Sequence, residues 1–167
     1  MIILGIDPGT ATTGYGLIKK TEDKLKLLDY GCIKTSKDLD PADRLSVIFK
    51  ELKKVVKKEA PNVICVEELF FAANVKTALK VGQARGIVLL AAKESGIPIF
   101  EYTPLQVKQA ICGYGRAEKV QIQKMVKTLL DLTDIPRPDD AADALAIAIC
   151  HANSEKLKSL DQRSKRK

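Results

Sequence analysis

The chain has a single histidine, His151, and no Cys-x-x-Cys pair. A histidine-rich metal centre is therefore excluded. Its four cysteines, Cys32, Cys65, Cys112 and Cys150, are far apart, and each stands among apolar neighbours. They read as buried free thiols rather than disulfides or zinc ligands. Any metal chemistry then falls to carboxylates, whose hard oxygens favour Mg²⁺ or Mn²⁺. No apolar run approaches a membrane span. Met1 leads directly into strand-like sequence rather than a signal peptide, so a cytoplasmic protein is expected. There is also no internal repeat and no domain-splitting linker. The 167 residues read as one domain with a substantial core.

The charge is uneven. Of a formal +7, the segment SEKLKSLDQRSKRK (154–167) holds +4, from six Lys/Arg against two acids, which leaves +3 on the body. A basic tail suits nucleic acid, or serves only solubility. The expectation is one domain over 1–153 and a basic, disordered tail over 154–167.

Residues 2–7, 14–19 and 25–34 read as three strands of an antiparallel meander. An amphipathic helix follows. Leu45, Ile48, Phe49, Leu52, Val55 and Val56 recur at helical spacing, with Asp40 as N-cap and Pro41 at the first position. NVICVE (62–67) is a short buried strand. A helix over 75–94 stops near Gly96-Ile97-Pro98, IPIFEY (97–102) is a fifth strand, and helices fit 103–111, 117–131 and 138–152. This order predicts an α/β fold: a central five-stranded mixed sheet flanked by helices.

Two strands that should be buried end in acids, at Asp7 and at Glu67 or Glu68. A third segment, RPDDAADALAIAIC, adds acids at the start of a helix. Asp140 and Asp143 share a face at i, i+3, and so do Asp139 and Asp143 at i, i+4, so spacing does not choose between them. The plainer readings are a Pro-Gly turn after Asp7 and helix capping by Asp139 and Asp140. Capping explains Asp143 less well, because it lies a turn further in, beside Ala142, Ala144 and Leu145. Ionised carboxylates gathered from three segments repel one another and resist burial. Divalent ions resolve both problems, and a pair of them can activate water for phosphodiester cleavage. A rival reading is an actin-like ATPase, with Gly9-Thr10 and Gly14-x-Gly16 as a phosphate cradle. The chain lacks room for the second half-domain and shows no second Asp-x-Gly hairpin.

Four blocks, in order, resemble the RuvC-type Holliday junction resolvases, which have an RNase H-like fold: GIDPGTATTGYGLI, VEELFFAANVKTALKVGQARG, FEYTPLQVKQAICGYGRAEKVQIQKMV and DDAADALAIAICH. The resemblance spans about 1–152. It implies a Mg²⁺-dependent endonuclease, with two ions per site and Mn²⁺ as a substitute. Such an enzyme works as a homodimer alongside a branch-migration helicase, making paired symmetric nicks in four-way DNA junctions during recombination and repair.

Carried onto this chain, the resemblance assigns metal binding and catalysis to Asp7, Glu67, Asp140 and Asp143, choosing Asp140 over Asp139 and Glu67 over Glu68. Lys108 and Lys119 match basic residues that contact DNA phosphate, although any single lysine is most often plain surface. Tyr114 and Arg116, in the sequence GYGR, would form a DNA-contacting loop beside them. Phe70 matches a position where an aromatic stacks on bases, with a core pair Phe70–Phe71 as the plainer alternative. The helix TALKVGQARGIVLLAA (77–92) resembles the family's dimer-forming helix. His151 is expected to be an ordinary helix-end residue. A non-cleaving junction-binding relative is the second reading, and retention of all four acids and both lysines argues against it.

Overall fold

A computed structural model describes residues 1–22, 24–68 and 75–164. Its strands are β1 (Ile2–Asp7), β2 (Thr12–Lys20), β3 (Leu25–Lys34), β4 (Val63–Glu67) and β5 (Ile99–Tyr102). The helices are α1 (Pro41–Glu59), α2 (Val75–Glu94), α3 (Pro104–Cys112), α4 (Lys119–Leu129) and α5 (Asp139–Ser164). The strands form one sheet in the order β3-β2-β1-β4-β5. β1–β2 and β2–β3 pair antiparallel, while β1–β4 and β4–β5 pair parallel.

The meander and its helices follow from local signals. Asp40 caps α1, its carboxylate accepting from the Asp43 amide at 2.9 Å, with Pro41 in the first turn. Thr103 and Gln106 form a capping box that starts α3. Gly96, at φ 68°, follows the end of α2.

α5 departs from expectation. It does not stop at 152 but runs to Ser164, so the boundary expected at 154 falls inside a helix. The residues beyond 152 include six Lys/Arg and two Leu, with no Gly or Pro to end a helix already running. Among the described residues no helix is long and apolar enough to cross a membrane.

The sheet has a core on each face. On one, Leu4, Ile6, Leu17, Ile64 and Val66 meet Ile48, Leu52 and Val56 of α1 and Ala84 and Val88 of α2. On the other, Ile3, Ile18, Val63 and Cys65 meet α3, α4 and the buried run from Leu145 to Cys150 of α5. Here α5 lies almost backbone to backbone on the sheet. A Cβ on Gly5 would sit 2.1 Å from the Ala144 carbonyl oxygen, and one on Gly14 would sit 2.0 Å from that of Asp140. Only glycine in the strands, facing a helix rich in alanine, permits that approach.

Candidate active site

Asp7 ends β1 and Glu67 ends β4. These strands are parallel neighbours with Ile6 beside Val66, so the two acids emerge side by side, roughly one strand spacing of 4.8 Å apart. Strand alternation sets their direction. Ile6 and Val66 point into the α1/α2 core, so the next residues turn to the α5 face. The acid at the end of each buried strand therefore stands where the sheet gives way to a cleft.

α5 brings the remaining acids. Its approach to Gly14 lays its first turn against β2, beside the end of β1, where Asp7 pairs with Gly14. Asp143 then lines a cleft of about 200 Å³ together with Asp7 and Glu67. Lys108 of α3 and Lys119 of α4 form its basic wall, and Val107, Ile122 and Ile147 form its apolar one. Asp140 is not among the lining residues, but its charge acts on both Asp7 and Asp143.

The electrostatics are those of an under-neutralised cluster. Burial pushes Asp7 up to about 7, helped by the charges of Asp143, Glu67 and Asp140 and opposed only by Lys119. Glu67 is raised by burial and then by Asp143, with Lys108 opposing. Asp143 is raised by burial even though the Lys119 ammonium lies 2.9 Å from its carboxylate. The bond to Asp143 in turn holds Lys119 above the ordinary lysine value.

Adjacent acids differ sharply. Asp139 accepts from Gln123 Nε2 at 3.1 Å, pairs with Arg137, and lies 3.6 Å from Lys119. Slight desolvation is outweighed by these three partners, and its carboxyl is held below the usual value. Among the described residues Asp140 has no such ion pair. Glu68 is exposed and is not part of the cleft lining.

The donor set fits a hard divalent cation. It offers carboxylate oxygens, carries more negative than positive charge, and raises the proton affinity of its most buried acid. Among the described residues no three His, Cys, Asp or Glu side chains are placed to hold a metal ion together, so any ion here takes fewer protein ligands from the acids as they stand. An open arrangement suits Mg²⁺, which takes one or two carboxylates and fills its octahedron with water and substrate oxygens.

Other expected residues fall elsewhere. Tyr114 and Arg116 are exposed in the α3–α4 loop and do not line the cleft; the Tyr114 hydroxyl donates to Gln121 at 2.8 Å. Phe70 and Phe71 lie outside the described residues. His151 is not a helix-end residue. It is buried in mid-α5, 2.6 Å from the Tyr102 hydroxyl and with its ring tilted against Phe100, because α5 continues past it. Gly14 and Gly16 face α5 rather than open space, and Thr13 and Thr35 donate to the carbonyls of Gly9 and Thr10. With Gly14 and Gly16 packed against α5, they are not open to a phosphate, which disfavours the cradle.

Two residues escaped the sequence reading. Gln123, buried beside Asp139, sits four residues after Lys119 on the same face of α4, a spacing that was available in the sequence. Cys32, paired with Gly14 across β2–β3, lies near the start of α5, where burial and the charge of Asp140 raise its thiol above the ordinary value. No local pattern announces that contact.

Residues 3–151 match the family model for crossover junction endodeoxyribonuclease RuvC. A protein of that name from Ruminiclostridium cellulolyticum is 58% identical over 160 residues, covering 96% of each chain. One from Desulforamulus reducens is 59% identical over 152 residues, 91% of this chain and 93% of its own. The structure of T. thermophilus RuvC in complex with Holliday junction substrate superposes with a TM-score of 0.90 at 40% identity, covering 95% of this chain and 96% of that one. The yeast mitochondrial Holliday junction resolvase, at 18% identity and a TM-score of 0.71, shares the fold. With its acids at the same sheet end and a family match over nearly its whole length, the chain belongs to the RuvC family of crossover junction endodeoxyribonucleases.

Proposed function

We propose that this protein resolves four-way DNA junctions by symmetric, paired phosphodiester hydrolysis, with two Mg²⁺ per site. The observation that carries this reading is the cleft at the ends of β1 and β4, where Asp7, Glu67 and Asp143 face Lys108 and Lys119. Asp7, Glu67, Asp140 and Asp143 hold the ions. Divalent cations there supply activation of water and stabilisation of the leaving oxygen. Lys108 and Lys119 bind the phosphate and offset charge that builds on its oxygens. Lys119 neutralises Asp143 here, and is free to turn to phosphate once that carboxylate is otherwise satisfied. Asp139, already held by Gln123, Arg137 and Lys119, orients Lys119 rather than binding an ion. Tyr114 and Arg116 contact DNA from their loop, and Phe70 stacks on bases at the opened junction centre.

Two nicks require two sites, and a two-fold homodimer supplies them in the symmetry of the junction. Its interface is the outward face of α2, where Leu79 and Leu90 are exposed and Gly86 has open space above it. In the cytoplasm the dimer acts with a branch-migration helicase in recombination and repair.

A synthetic four-way junction with Mg²⁺ tests the reading. Paired nicks at related positions are expected, and Asp7→Asn should bind the junction without cutting it. Mixing wild type with excess Asp7→Asn, under subunit exchange, should turn a supercoil-extruded plasmid junction into nicked circles rather than linear DNA. Efficient linearisation by the mixed dimers would overturn paired cutting.

A further inference from the structure

α1 carries a second charged feature that the cleft does not use. Lys50, Lys53, Lys54 and Lys57 recur at i, i+3, i+4 and i+7, which places them along one helical face. They wall a groove of about 600 Å³ whose floor includes Val56, Pro61 and Ile97. Like charges so arranged repel. Their neutralisation is incomplete: Lys53 lies 3.8 Å from Glu94 and donates to Ser95 at 3.2 Å, and Lys54 lies 2.7 Å from Glu51. Lys50 and Lys57 have no ion pair among the described residues. The helix dipole accounts for Lys57 in the last turn of α1 but not for Lys50, two turns earlier.

Position separates this groove from the cleft. Pro61 precedes β4 and Ile97 precedes β5, whereas the acids stand at the strand ends. The length of β4, roughly 13 Å at 3.3 Å per residue, lies between them. The floor separates it in chemistry as well. Val56 and Pro61 are already buried, so half-buried Ile97 is the apolar surface the floor leaves open; a phosphate backbone gains nothing from it, while a polypeptide with an apolar side chain does.

We propose that this groove docks an acidic segment of another polypeptide, its carboxylates on Lys50, Lys53, Lys54 and Lys57 and an apolar anchor against Ile97. The proposal goes beyond the nuclease reading and does not depend on it. Fluorescence anisotropy tests it with three labelled probes: a short Asp/Glu peptide with a central Leu-Phe pair, the same peptide with Ser-Ser in the centre, and a short DNA duplex. Wild type should bind the Leu-Phe peptide at least ~10-fold tighter than the Ser-Ser peptide. Lys50→Glu with Lys57→Glu should lose at least ~10-fold of that binding while melting normally and nicking junctions at the wild-type rate. Equal binding of the two peptides, or undiminished peptide binding by the charge-reversed protein, would overturn the proposal. So would loss of duplex and junction affinity in that variant, which would make the groove a nucleic-acid surface. Junction nicking by wild type in the same preparations reports on the nuclease reading separately.

Discussion

The two faces of the sheet are filled by different rules. Toward α1 and α2, large branched side chains interdigitate: Leu4, Ile6, Leu17 and Ile64 with Ile48, Leu52 and Val56. Toward α5, Gly5, Gly14 and Gly16 admit the helix until backbone meets backbone, and Ala144 and Ala148 keep it close. The first arrangement spreads its contacts over many rotatable groups and relaxes partly when one is trimmed. At Gly5 and Gly14 the second meets backbone, which cannot adjust as a side chain does. Both faces bury a hydrophobic core, but the α5 face also sets the distance between Asp140, Asp143 and the ends of β1 and β4.

The largest effect should come from the cluster itself. Asp7→Asn should lower nicking on the order of 10³-fold or more, with junction binding unchanged or slightly tighter, since a negative charge leaves a phosphate-facing cleft. Single-turnover strand cleavage beside a gel-shift titration measures both, and near-normal cutting in Mg²⁺ would remove Asp7 from the metal site.

A paired substitution breaks the comparison directly. Gly14→Ala forces a Cβ to within 2.0 Å of the Asp140 carbonyl, so the start of α5 must move. Displacement of about 1 Å costs on the order of 10²-fold in rate, against ~1–3 kcal/mol of stability from overpacking. Leu52→Ala, on the opposite face, should cost ~2–5 kcal/mol of stability and leave the cleavage rate of the folded fraction intact. Urea melts and single-turnover rates on the two variants decide it. Equal rate losses would mean that both faces position the site.

A smaller effect sharpens the electrostatic side. Asp7 titrates at about 7 in the folded chain without metal, against 3.8 for the ordinary carboxyl. Between those values the native state holds a proton that the unfolded state has lost, so stability falls as pH rises through the window. In chelator at pH 8, Asp7→Asn should exceed wild type by on the order of 1–3 kcal/mol, and the gap should shrink toward pH 4. Denaturant melts at the two pH values check this; a gap that grows on acidification would contradict the crowding of carboxylates around Asp7.

The smallest effects separate neighbours. Asp139→Asn and Glu68→Gln should change nicking by less than ~5-fold, since the first loses exposed ion pairs and the second lies outside the cleft. Asp140→Asn and Glu67→Gln should be severe. The register of the site would be wrong if the mild pair proved inactive.

The sequence by itself determined the elements and marked the acids at their ends. Alternation and helical periodicity are local properties, so the strands ending at Asp7 and Glu67 and the capped helix after Asp40 were legible, as was the prominence of acids in a chain with one histidine. Tertiary structure decided which of these residues meet. The β1–β4 register, the facing of Gly14 toward Asp140, the pairing of Lys119 with Asp143 and of Gln123 with Asp139, and the burial of His151 against Tyr102 join segments far apart in the chain. No local propensity encodes such contacts, because they arise only when both faces of the sheet are covered at once. The continuation of α5 to Ser164 has the opposite origin: its charged residues suited a tail, yet they are also good helix formers following a helix that the sheet had already nucleated.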